Sequence, residues 1–169
     1  MNKRIFVING SGGVGKDTFV NMVSKYIPTT NYSSVDKIKE AAKVIGWNGE
    51  KTEKARKFLS DLKILSTEYN NYPYKSMINK INDFLEDTVN QFLFLHIREP
   101  EEIKCLSKEF DLTTILISNS NVSPINTNMA DKNVFDYDYD MEITNDSDLT
   151  KLNEKAELFC ELYGDMNEA

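Results

Sequence analysis

The stretch Ile5-Phe6-Val7-Ile8-Asn9-Gly10-Ser11-Gly12-Gly13-Val14-Gly15-Lys16-Asp17-Thr18 constrains this chain more than any other. Four apolar residues in a row, Ile5 to Ile8, suit a strand buried on both faces. The pattern Gly10-x-x-x-x-Gly15-Lys16 follows. It leads into a segment where Phe19, Val20, Met22, Val23 and Tyr26 crowd one side of a helix. Strand, glycine loop and helix in that order are the context in which the pattern reads as a phosphate-binding loop, or P-loop. The glycines let the backbone curl so that successive N–H groups can face phosphate oxygens. The N-terminus of the following helix adds positive potential at the same place, and Lys16 supplies a mobile point charge. Gly10, Ser11, Gly12, Gly13, Val14, Gly15, Lys16, Asp17 and Thr18 are therefore the expected cradle of a nucleoside triphosphate. One position departs from the usual pattern: Asp17 stands where Ser or Thr normally holds Mg²⁺. A carboxylate is a hard oxygen ligand, so Asp17 is the candidate metal ligand.

Composition narrows the class. A chain of 169 residues with 40% hydrophobic and 28% charged residues suits one soluble α/β domain spanning residues 1–169. A net charge of −7 argues against non-specific nucleic-acid binding. No apolar run reaches the ~20 residues that span a bilayer, and no signal-peptide pattern opens the chain. Cys105 and Cys160 lack the spacing of a metal or redox motif and read as reduced thiols. The expectation is a cytoplasmic protein without nucleic-acid or membrane partners, with which a homodimer is compatible.

Further along, Pro28 and Thr29-Thr30-Asn31 read as the close of the first βα unit, with Tyr32 to Val35 a weak second strand. Asp36 sits where a helix N-cap would. The segment from Glu50 to Tyr69 places Phe58, Leu59, Leu62 and Leu65 at helical spacing. Met77, Ile78, Ile81, Phe84, Leu85 and Val89 do the same in the next helix. Phe92 to Ile97 and Leu112 to Ser118 read as buried parallel strands, with Pro100 as the first residue of a helix between them. Asn119 to Asp131 reads as a flexible loop. Asp140 to Thr144 reads as a short edge strand, and a final helix carries Leu149, Leu152, Ala156, Phe159 and Leu162. Alternating strands and helices call for a doubly wound, mostly parallel sheet of about five strands, a three-layer α/β fold.

In such sheets ligands sit beyond the carboxyl ends of the strands. Arg98 ends an apolar run there and can offer bidentate donors to a phosphate, or pair structurally with Glu99 or Glu102. Asp36 can cap its helix, or orient an acceptor or act as a base. His96, the only histidine, suits either a core residue facing the sheet layer or a catalytic group. The run Asp136 to Asp140 reads as a solvated face, with metal binding the lesser alternative.

Four segments together carry a resemblance. Gly15-Lys16-Asp17-Thr18, Val35 to Ala42, His96-Ile97-Arg98-Glu99-Pro100-Glu101-Glu102 and Ile143 to Leu149 resemble the deoxynucleoside monophosphate kinase branch of the P-loop nucleoside monophosphate kinases. The chain also looks distantly like phosphomevalonate and dephospho-coenzyme A kinases. The resemblance implies the P-loop kinase fold, with ATP and Mg²⁺ as cofactors and a small-molecule phosphate acceptor, a nucleoside monophosphate in that branch. It implies Lys16 and Arg98 on the phosphates, Asp36 beside the acceptor and Asn145 near the adenine. Residues from about 49 to 90 become an acceptor-binding helical region, and residues 119–131 a lid loop. Two departures stand out: His96 replaces the family's aspartate, and the connection after Ser118 has no arginine, only Lys132. The alternative is a nucleotide-binding regulatory protein with little or no transfer activity.

Overall fold

The three apolar runs form the middle of one sheet because each is flanked on both sides. In a computed structural model that describes residues 2–122 and 133–164, β1 (Arg4–Asn9) lies between β3 (Phe92–His96) and β4 (Thr113–Ser118). The flanking strands are β2 (Thr29–Ser33) and β5 (Met141–Thr144). The order is β2-β3-β1-β4-β5, and every pairing is parallel. The register sets Ile8 opposite both His96 and Ile115, so the carboxyl ends of the three central strands lie on one edge of the sheet, with β4 running on to Ser118 beyond the end of β1.

Side chains alternate between two cores, as the strand period requires. Phe6, Ile8, Phe92 and Phe94 point to a face covered by α1 (Lys16–Val23) and α6 (Leu149–Tyr163). There Phe6 sits among Phe92, Phe94, Phe159 and Tyr163, with ring centroids 4.8 to 5.2 Å away. Ile5, Val7, Leu93, Leu95 and Ile97 point the other way, toward α4 (Tyr72–Glu86) and α5 (Pro100–Glu109). Two more helices, α2 (Asp36–Val44) and α3 (Glu53–Asn70), complete the region between β2 and α4. This is the expected α/β architecture, with helices on both faces of a parallel sheet.

Several local expectations are corrected. Thr29 to Asn31 do not close the first unit; they form the start of β2, which ends at Ser33 rather than running to Val35. As an edge strand β2 pairs only with β3 and buries none of its residues fully, so its polar composition costs little. Asp36 is not the N-cap of α2. Val35 holds that position, and the Asp36 carboxylate accepts from the Ser33 N–H at 2.8 Å, closing the β2–α2 turn. In α3 the fully buried residues are Ala55 and Lys63, while Leu65 is 61% exposed. Phe58, Leu59 and Leu62 are half-buried on that same side, and of the four residues at helical spacing only Leu65 turns outward. Val89 lies beyond the end of α4 and is exposed. The Asp136–Asp140 run is not only a solvated face. The Asp140 carboxylate accepts from both the backbone N–H and the hydroxyl of buried Thr114, each at 2.7 Å, just ahead of β5. Cys105 lies on α5 and Cys160 on α6, on opposite faces of the sheet, so they cannot pair. Most of the expected lid, residues 123–131, lies outside the described residues, as does Lys132.

Candidate active site

The loop between β1 and α1 has the backbone its glycines permit. Gly10 has φ +148°, and a Cβ there would run into the Ile117 carbonyl. Gly15 has φ +101° at the N-cap of α1, and a Cβ there would come within 2.5 Å of Asn145 Nδ2. Both positions require glycine, one for close strand approach and both for a left-handed backbone. Lys16 folds back over the loop and donates from Nζ to the carbonyls of Gly10 (2.5 Å) and Ser11 (2.9 Å). Its ammonium thus hangs over the curl of the loop, where the N-terminus of α1 also concentrates positive potential.

Other turns are tied to this loop. Asn9, fully buried, accepts from the Gly10 N–H at 2.8 Å. It donates to the Tyr139 hydroxyl at 2.7 Å and the Arg98 carbonyl at 3.4 Å. Burial pushes the Tyr139 phenol up to about 12, so it stays a protonated donor, here to the Val134 carbonyl. Asn145 donates from Nδ2 to the Val14 carbonyl at 2.9 Å, bringing the β5–α6 turn against the loop. The segment after β4 is held to that same turn through the Ser120 N–H on Asp146, and Val122 lies beside Gly13. The P-loop, the Arg98 turn and the Asn145 turn are therefore joined by hydrogen bonds. Asn9 and Tyr139 were not anticipated; an asparagine closing an apolar strand was the available signal.

His96, read as either a core residue or a catalytic group, lies at this site. Ile97 is fully buried on the α4 and α5 face. His96 follows the parity of Phe92 and Phe94 onto the α1 face, where its Nε2 lies 3.8 Å from Asp17 Oδ1. Burial pushes the imidazole below its usual pKa. The Asp17 carboxylate opposes the shift and Lys16 adds to it, with Asp36 and Lys39 acting more weakly. The charges of Asp17, Lys16 and Asp36 thus all reach His96 at the end of the sheet. Asp17 itself is open to solvent, with 85% of its side chain exposed.

Next to Arg98 the sequence reading missed a charged cluster. Lys63, its side chain 11% exposed, pairs with Glu99 at 2.7 Å and Glu102 at 3.4 Å. These are the two carboxylates that were weighed as partners of Arg98. Burial, aided by the nearby Glu99 and resisted by Lys63, pushes Glu102 up to about 7. Burial alone would raise Glu99 too, but the charge and hydrogen bond of Lys63 hold it below the usual carboxylate range. The cluster clamps α3 to the turn that carries Arg98.

The sheet order and the glycine loop opening α1 define the fold of the P-loop kinases. Solved structures share it over nearly their whole length. The tunicamycin resistance protein of Deinococcus radiodurans matches with TM-score 0.56 at 8% identity, over 94% of this chain and 96% of that one. A sugar kinase from Janibacter sp. HTCC2649 matches with TM-score 0.55 at 12% identity, over 94% and 95%. The protein TT1252 of Thermus thermophilus matches with TM-score 0.55 at 14% identity, over 97% and 100%. These likenesses are of fold. No protein-family model matches the chain, and no curated protein matches it.

Proposed function

We propose that the chain is an ATP- and divalent-metal-dependent phosphotransferase acting on a small phosphorylated acceptor, a deoxynucleoside monophosphate first among them. The observation that carries the reading is the loop itself: Gly10 and Gly15, left-handed and closed to a side chain, with Lys16 at the start of α1 folded over the carbonyls of Gly10 and Ser11. The residues fit a triphosphate, since backbone, lysine and helix terminus all offer positive potential to an anion. In this reading residues 10–18 cradle the phosphates, Lys16 bridges toward the transferred group and Asn145 flanks the base. Arg98 steadies charge from the acceptor side, and Asp36 orients the acceptor. The metal, Mg²⁺ by the resemblance, would be held through Asp17 and would neutralise charge on the phosphates. Transfer then depends on positioning and electrostatics.

The test has two arms. Calorimetry measures ATP binding to the wild-type chain and to Lys16→Ala, which is expected to bind at least about tenfold more weakly for want of a charge-assisted contact. A coupled ADP-release assay across the common deoxynucleoside monophosphates measures transfer. Intact ATP binding with no stimulation by any acceptor would remove the acceptor. A regulatory nucleotide-binding protein is favoured as second reading by the arginine-free connection after Ser118, and binding without turnover would select it.

A further inference from the structure

His96 closes β3 at the edge of the sheet where the glycine loop opens α1, and its imidazole faces Asp17. His96 Nε2 is buried and makes no hydrogen bond. A buried polar nitrogen without a partner is costly, and native folds rarely leave one without a reason. Asp17 Oδ1 lies 3.8 Å away, which is too long for a hydrogen bond. It is not too long for an ion to bridge, because metal–nitrogen and metal–oxygen bonds together span about 4.2 Å. Asp17 is exposed along most of its side chain, so packing does not prevent its carboxylate from turning to close the coordination angle.

Among the described residues no group of three or more His, Cys, Asp or Glu could hold a metal ion by itself. An ion at this place would need further ligands, and Lys16, next to Asp17, marks where phosphate oxygens would lie. The donor set then consists of one imidazole, one carboxylate and phosphate oxygens. Mg²⁺ takes oxygen ligands and gives up its waters reluctantly. Imidazole suits first-row transition ions better.

We propose that His96 and Asp17 form the protein half of a metal site that takes a divalent first-row transition ion, Mn²⁺ or Co²⁺, together with the triphosphate and in preference to Mg²⁺. The proposal rests on the loop being a triphosphate site.

The experiment uses the full chain with Mn²⁺ and inorganic tripolyphosphate, a probe that contains no nitrogen. Pulsed electron paramagnetic resonance reads whether a nitrogen-14 nucleus is bound directly to the ion. Because the chain has one histidine, a nitrogen signal lost on substitution is assigned without ambiguity. The wild type is expected to show imidazole nitrogen coupling, and His96→Ala to lose it. Mn²⁺ affinity in the presence of tripolyphosphate is expected to fall about ten- to a hundredfold in that variant, the range seen when groups that support a metal are removed. Mg²⁺ affinity is expected to move much less. His96→Asp, which puts an oxygen ligand at the same place, is expected to bind both ions with no nitrogen coupling, and it guards against a variant that fails to fold. Bound Mn²⁺ without nitrogen coupling in the wild type, or coupling that survives in His96→Ala, overturns the proposal. Absence of any tripolyphosphate-dependent Mn²⁺ binding overturns the triphosphate site itself, and this inference with it.

Discussion

Replacing Glu102 by glutamine tests the charged cluster beside Arg98 through its pH dependence. Glu102 is raised from 4.5 to about 7, mainly by burial, and only 17% of its side chain is exposed. A folded-state pKa above the unfolded one means that the folded chain binds more protons between those two values. Stability from this group is therefore fully present below pH 4.5. It declines as pH rises and is lost once pH passes about 7. At about 1.4 kcal/mol per pH unit the span corresponds to about 3 kcal/mol, and the remaining solvent contact brings the expectation nearer 2 kcal/mol. Glu102→Gln imitates the protonated side chain at every pH. The two proteins are expected to be similarly stable at pH 5, and the variant to be about 2 kcal/mol more stable, relative to wild type, at pH 8. Urea denaturation followed by circular dichroism at several pH values in that range reads the difference directly. Wild-type and variant curves that stay parallel from pH 5 to pH 8 would refute the reasoning, because Glu102 would then titrate alike in both states.

Three further outcomes follow from single contacts. Gly15→Ala forces a left-handed conformation on a residue with a side chain and drives it into Asn145; it is expected to cost about 1–2 kcal/mol of stability and to weaken ATP binding in calorimetry. Asp140→Ala leaves the buried N–H and hydroxyl of Thr114 without their acceptor, with an expected loss of about 2 kcal/mol in thermal or urea unfolding. Cys105 is exposed, whereas Cys160 is buried and its thiol is pushed up to about 11 by burial. A thiol reagent is therefore expected to label Cys105 quickly, and Cys160 only as fast as the fold opens.

The parts of the fold that the sequence foretold are those where composition and burial coincide. β1, β3 and β4 each carry an unbroken apolar run because both faces are covered there, and the P-loop is recognisable because its glycines answer to backbone angles that other residues resist. Only the end of β2 was legible, as a weak strand from Tyr32, because an edge strand with half-exposed residues tolerates Thr-Thr-Asn, which otherwise reads as a turn. In α3 the helical period picks out the side that packs inward but not the buried Lys63 at its edge. A lysine with two carboxylate partners can be buried in place of an apolar side chain, and nothing in the helical period signals those partners, which lie on α5 and its cap. His96 was legible as a residue but not as a neighbour of Asp17. Its face follows from strand parity, which needed the start of β3 to be fixed first.

The candidate site divides into two sets of side chains with different duties. Asn9, Tyr139, Asn145 and Asp146 tie one turn to the backbone or side chain of another. Each such hydrogen bond contributes about 1 kcal/mol, more where loss would leave a buried group unsatisfied, as at Asn9. Lys16, Asp17 and His96 take no part in those ties. Lys16 holds only its own loop among the bonds described, and the other two face each other across a gap. The turns around the loop are therefore tied together by the first set, while Lys16 braces the loop from within. A change in the first set should alter stability and binding together. A change in the second should alter binding while the fold persists, and that separation can be read residue by residue.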